Sequence, residues 1–130
     1  MLVESLILAV EEPVAGVVVV RVGGELNRGT APRLARLLDG QLDHCVAVHD
    51  TPATIDRRAH LIVDLSGVRN FAGGLSVLRQ AQYTADLADV GVHLTGLVAR
   101  AGLLPAWAAE LMAQFNGFPT AEDALTAALD

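Results

Sequence analysis

Lysine is absent from this 130-residue chain, cysteine occurs once, and aromatic residues make up only 4%. The lone Cys45 excludes an intrachain disulfide, so a disulfide-stapled scaffold is ruled out and a reducing, cytoplasmic setting is the expectation. Nine arginines face fifteen acidic residues, for a net charge of −6. In the linear sequence no arginine cluster exceeds the pair Arg57-Arg58. That balance, with so few aromatics, argues against nucleic-acid binding. No apolar run reaches the roughly 18 to 20 residues of a membrane-spanning helix, so no membrane insertion is expected. The stretch Met1 to Glu12 lacks a basic segment and carries three glutamates, so it does not read as a signal peptide.

What is present is apolar. Hydrophobic residues make up 52% and charged residues 18%, enough for a filled core in one domain spanning residues 1–130. Ser5 to Val10 alternates like a strand, and Pro13 to Gly16 reads as a turn. Val17 to Val22 is β-branched, the mark of a strand buried on both faces. Gly23-Gly24 is expected to end it, with a loop from Glu25 to Gly29. Thr30 then stands as a helix N-cap with Pro32 in the first turn. Leu34, Leu37, Leu38 and Leu42 carry an amphipathic helix to about Val46. His60 to Leu65 is a strand that Ser66-Gly67 is expected to break. A glycine turn from Phe71 to Gly74 leads into a helix from Leu75 to Ala88. Val92 to Val98 is a strand and Leu103 to Phe115 a helix. Phe118 falls in a short last strand, and a capping-box-like Thr120 to Asp123 opens a final helix to Leu129. The alternation predicts an α/β fold, with a mixed, mostly parallel sheet of four to five strands flanked by about four helices.

Reaction chemistry finds little support. No Gly-x-Ser-x-Gly elbow is present. Cys45 lies near His44 and His49 without an orienting pair, and reads as a half-buried cysteine at a helix end. His44, Cys45, His49 and Asp50 match no standard zinc spacing. His60 and His93 read as ordinary residues on strand faces. Asp64 stands at the carboxyl end of a strand, where open α/β sheets place ligand sites, but capping the following turn is the favoured role. Gly73-Gly74 before a helix could present N–H groups to an anion, yet the residues a phosphate loop needs are missing. The sequence calls for no enzyme activity, no metal and no cofactor.

The order of segments resembles the STAS domain of bacterial anti-sigma factor antagonists. The resemblance is carried by Val17-Val-Val-Val-Arg-Val-Gly-Gly-Glu-Leu-Asn27, Thr30-Ala-Pro-Arg-Leu34, Leu61-Ile-Val-Asp-Leu-Ser-Gly-Val68, Gly74-Leu-Ser-Val-Leu78 and Pro119-Thr-Ala-Glu-Asp-Ala124. It spans Leu6 to Leu129. Where the family has Gly-x-Leu-Asp, this chain has Gly24-Glu-Leu-Asn27. Where the family has Asp-Ser-Ser-Gly-Leu, with the second serine as phosphorylation switch, this chain has Phe71-Ala-Gly-Gly-Leu75. The switch serine falls on Gly73, which has no hydroxyl, and the two aspartates that shape the family site are missing. Residues 47–59 read as an inserted surface loop.

The resemblance implies a bacterial, cytoplasmic protein-interaction module of transcription and stress-response control. It would bind an anti-sigma factor or related regulator without the serine switch, with a homodimer also open. The docking surface implied is Asn27, Arg28, Phe71, Ala72, Gly73, Gly74, Ser76, Arg79, Gln80 and Tyr83. Phe71 is either an interface anchor or an inward-facing core residue. Ser76 is an alternative phosphoacceptor, though its place in a first helical turn favours simple exposure. Two other classes remain: an accessory subunit of a lipid-transport ABC complex or signalling scaffold, and a sensor of a nucleotide or lipid.

Overall fold

The computed structural model describes residues 6–14, 16–49, 59–70, 75–96, 116–118 and 121–129. Their order is β1 (Leu6–Val14), β2 (Val17–Glu25), α1 (Ala31–His49), β3 (His60–Asn70), α2 (Leu75–Ala88), β4 (Gly91–Thr95), β5 (Asn116–Phe118) and α3 (Ala121–Leu129). The five strands form one sheet in the order β1-β2-β3-β4-β5. β1 is antiparallel to β2 and every other pairing is parallel. The expected mixed α/β sheet is present. The helix expected over 103–115, with Trp107, Leu111 and Phe115, lies outside the described residues.

Alternation along β2 divides its valines between two faces. Val18, Val20 and Val22 join Leu61, Val63, Leu65, Val92 and Leu94 in the larger core, which α1 and α2 cover. α1 contributes Leu34, Leu38, Leu42 and Cys45, and α2 contributes Leu78, Ala81 and Ala85. Val17, Val19 and Ile62 face the other way and pack on Ala121 and Ala124 of α3. Leu34 is fully buried in the larger core, so Leu34→Ala is expected to destabilise the fold by about 2–4 kcal/mol. Urea denaturation would measure it, and a loss below about 1 kcal/mol would show that the site collapses around the void.

Several boundaries differ from the sequence reading. β1 runs on through Pro13, which an edge strand tolerates, with an irregularity between Glu11 and Val14. β2 continues through Gly23-Gly24, and β3 continues through Ser66-Gly67. The cause is a bulge. Arg21 pairs with Asp64 and Gly23 with Gly67, so three residues of β3 span the same stretch as two steps along β2. The extra residue lets both Leu65 and Val68 reach the larger core. A Cβ on Gly67 would lie 3.2 Å from the Gly23 Cα and from the Val22 carbonyl oxygen, so glycine permits this close approach.

α1 reaches His49 rather than Val46, so residues 47–49 belong to it and not to an inserted loop. Ala59 is buried in the core, and its carbonyl accepts the Gly91 N–H at 2.9 Å. Residues 50–58 lie outside the described residues. Cys45 is fully buried on the inner face of α1, not half-buried at a helix end. β4 ends at Thr95, and Gly96 follows with φ of +87°.

Candidate partner-binding site

Parallel pairing of Glu25 with Asn70 sets the loop after β2 beside the end of β3. The loop is fastened from within. The Asn27 Oδ1 accepts the N–H groups of Gly29 at 2.8 Å and Thr30 at 3.1 Å. The Thr30 hydroxyl donates to the Glu25 carbonyl at 2.9 Å and accepts the Asn27 N–H at 3.0 Å. Thr30 therefore binds back to the strand end instead of capping the helix with its hydroxyl, and Asn27 supplies the local turn. Leu26 is fully buried below the loop and Arg28 stands exposed at its tip.

The next element, α2, turns Leu78, Ala81 and Ala85 inward. Ser76, Arg79, Gln80 and Tyr83 are all exposed on its outer side. Tyr83 is 62% exposed, and Leu87, one turn further on, is 74% exposed. Leu87 escaped the sequence reading, although its i, i+4 spacing from Tyr83 was the available signal. The topology thus sets Asn27 and Arg28 near the start of α2. Phe71, Ala72, Gly73 and Gly74 lie outside the described residues.

The opposite face of the sheet holds a polar cluster that sequence alone did not reveal. Asp64 is buried and accepts from three groups: the Arg21 Nη1 at 2.8 Å, the Thr95 hydroxyl at 3.1 Å and the Ser66 N–H at 3.0 Å. Arg21, Asp64 and Thr95 are partners in register across β2, β3 and β4. Burial raises the Asp64 pKa, but the hydrogen bonds from Ser66 and Thr95 and the Arg21 charge outweigh it and hold the carboxyl below its ordinary value. Arg21 also reaches Glu11 at 2.9 Å and Glu122 of α3 at 3.7 Å. The expected turn-capping role of Asp64 is present in the Ser66 contact, alongside these others. His60 and His93 share a hydrogen bond of 2.9 Å between Nδ1 and Nε2.

The remaining candidates separate. His44 Nε2 meets Glu12 Oε1 at 2.8 Å, tying α1 to the first hairpin. Burial first, and then the Glu12 charge, pushes the Cys45 thiol up to about 11, so it stays protonated at neutral pH. No group of three metal-ligating side chains occurs among the described residues. Among them, no helix is long and apolar enough to cross a membrane.

The fold is shared with a solved anti-sigma factor antagonist. This chain is similar to the crystal structure of an anti-sigma factor antagonist from Mycobacterium paratuberculosis, with a TM-score of 0.68 and 29% sequence identity. The likeness covers 98% of this chain and 97% of that one. No family model matches the sequence, and no curated protein matches it.

Proposed function

We propose that this protein is a STAS-like regulator that docks on an anti-sigma factor, or a related regulatory protein, in the cytoplasm and thereby controls transcription. The observation that carries the reading is the nearly end-to-end likeness to an anti-sigma factor antagonist. Docking uses Arg28, the segment Phe71 to Gly74, and the outer side of α2 with Ser76, Arg79, Gln80 and Tyr83. Asn27 shapes this surface from behind, because its side chain is occupied within the loop.

Regulation by phosphate at residue 73 is absent in this reading, since glycine has no hydroxyl to modify. Thr30 is buried and doubly hydrogen bonded, so it is a poor substitute. Ser66 and Ser76 are exposed hydroxyls within a kinase's reach. Mass spectrometry after incubation with the anti-sigma kinase and ATP should find neither modified. Phosphate on Ser66 or Ser76 that abolishes docking would overturn the switch-free part of the proposal.

The docking part is tested by titrating purified anti-sigma factors from the source genome against wild type, Tyr83→Ala and Gly73→Ser. Tyr83→Ala is expected to weaken binding roughly 10- to 30-fold, as truncating an interface tyrosine does. Gly73→Ser is expected to gain sensitivity to the kinase. Absence of binding to every anti-sigma factor would overturn the reading.

A further inference from the structure

We propose that two copies of this chain associate edge to edge through β1, antiparallel about a two-fold axis at Leu8. This surface shares no residue with the docking surface proposed above, so the two readings stand or fall separately.

β1 stands at one end of the strand order and pairs with β2 alone. On its outer edge, the N–H and C=O groups of alternate residues have no ladder partner among the described strands. β5, at the other end of that order, has three residues. Such shortness protects an edge, but β1 has nine residues.

The other protection of β1 lies in one half only. Glu11, Glu12, Pro13 and the irregularity between Glu11 and Val14 are the kinds of feature that blunt an edge. Both glutamates are held by their own chain, Glu11 by Arg21 at 2.9 Å and Glu12 by His44 at 2.8 Å. The half from Leu6 to Val10 has no charge, no proline and no register shift. Ile7 is 65% exposed, Val10 is 43% exposed, and Ala9 is also exposed.

That half is complementary to itself. Opposed residues in an antiparallel pair point to the same face. A two-fold axis perpendicular to the sheet keeps each copy's faces where they were, so the axis passes through a residue. With the axis at Leu8, Leu8 faces its copy, Ile7 faces Ala9 and Leu6 faces Val10. The large exposed Ile7 meets a small neighbour, and every pair is neutral. The two copies of Glu11 then stand six residues apart along the strands, about 20 Å, where salt screens their repulsion. Parallel pairing in register would bring them within about 5 Å. An axis at Ala9 would set Glu11 against Ile7. A second copy thus supplies the matching apolar stretch by symmetry, in one register. Five residues a side is far below the roughly 20 to 30 of a stable interface, so the dimer is weak and depends on concentration. Pairing uses up the outer edge of β1 in both copies, so the assembly closes at two.

Sedimentation equilibrium over about 10 to about 1,000 µM should show the mass rising with concentration from 13.6 kDa toward twice that value. Ile7→Lys with Ala9→Lys sets lysine against lysine twice and should weaken the dimer at least about tenfold. Two added lysines reduce the net charge of −6, so general repulsion between copies falls and cannot explain the loss. Ile7→Glu with Ala9→Glu should be monomeric too, and an equimolar mixture of the two variants should restore a dimer. Both positions are exposed, and circular dichroism confirms that the variants fold. Leu8→Cys should form an intermolecular disulfide on mild oxidation, whereas Val10→Cys, about 13 Å from its copy along the strands, should not. The native Cys45 is buried and protonated, so it does not compete. A wild type that stays at 13.6 kDa, growth beyond two copies, or a mixture that stays monomeric would overturn the inference. Cross-linking of Val10→Cys in place of Leu8→Cys would do the same. A monomeric wild type that binds an anti-sigma factor removes this inference alone, and a dimer that binds none removes only the regulatory reading.

Discussion

Gly96→Ala is expected to lower stability by about 2–6 kcal/mol. Two effects add. The residue has φ of +87°, a backbone region that costs a side-chain-bearing residue about 1–3 kcal/mol. The new Cβ would also lie against the backbone N of Ser66, 2.6 Å from its Cα and 2.7 Å from its Cβ. That overlap adds about 1–3 kcal/mol, because the atoms in the way are backbone and cannot rotate aside. Ser66 has little room to retreat, since its N–H is held at 3.0 Å by Asp64. Urea denaturation of the variant gives the value directly. A loss below about 1 kcal/mol would mean that the β3 bulge moves freely, contrary to its tight packing.

Asp64→Ala should be the second costly change, at about 2–4 kcal/mol. It strips a partner from the fully buried Thr95 hydroxyl and from the Ser66 N–H. The Arg21 contribution is discounted, because that side chain is 38% exposed and keeps Glu11 as a partner. The same carboxyl makes stability depend on acid. Its folded pKa lies below the ordinary value, so the unfolded chain takes up the proton first. The stabilisation is therefore complete above about pH 4 and drains away as pH falls through the folded value. Asp64→Asn should flatten that acid limb in a pH series of denaturation midpoints. An unchanged limb would assign it to another group. Gly96 and Asp64 meet at Ser66, so a double variant should lose less than the two single losses combined.

The elements that carry their own pattern were legible in the sequence. Val17 to Val20 announced a strand buried on both faces, and the leucine spacing of α1 announced its inner side. Continuity across Gly23-Gly24 and Ser66-Gly67 was hidden. Glycine looks like a strand end until a second strand is seen to approach the first, as Gly67 approaches Gly23. The Arg21, Asp64 and Thr95 cluster was hidden for a related reason. Its members are far apart in sequence and meet only when strand register sets them side by side. The His60–His93 bond is another contact between strands that neither local sequence encodes. In the candidate site, the outward positions of Ser76, Arg79, Gln80 and Tyr83 followed from helical period.

The strand order runs through the sheet as it runs through the sequence. Each strand is laid beside the one synthesised just before it, so an emerging chain can extend the sheet by successive addition. The first hairpin needs only residues up to Glu25, and no strand must wait for a distant one to be made. Nearest-neighbour order shortens the loops that must close and favours quick assembly. The larger core can gather α1 and then α2 as each leaves the ribosome. The smaller one cannot: Val17, Val19 and Ile62 are covered by Ala121 and Ala124. Those three side chains stay uncovered by α3 until residues 121–129 have been made, which leaves that face open to misassociation in the meantime.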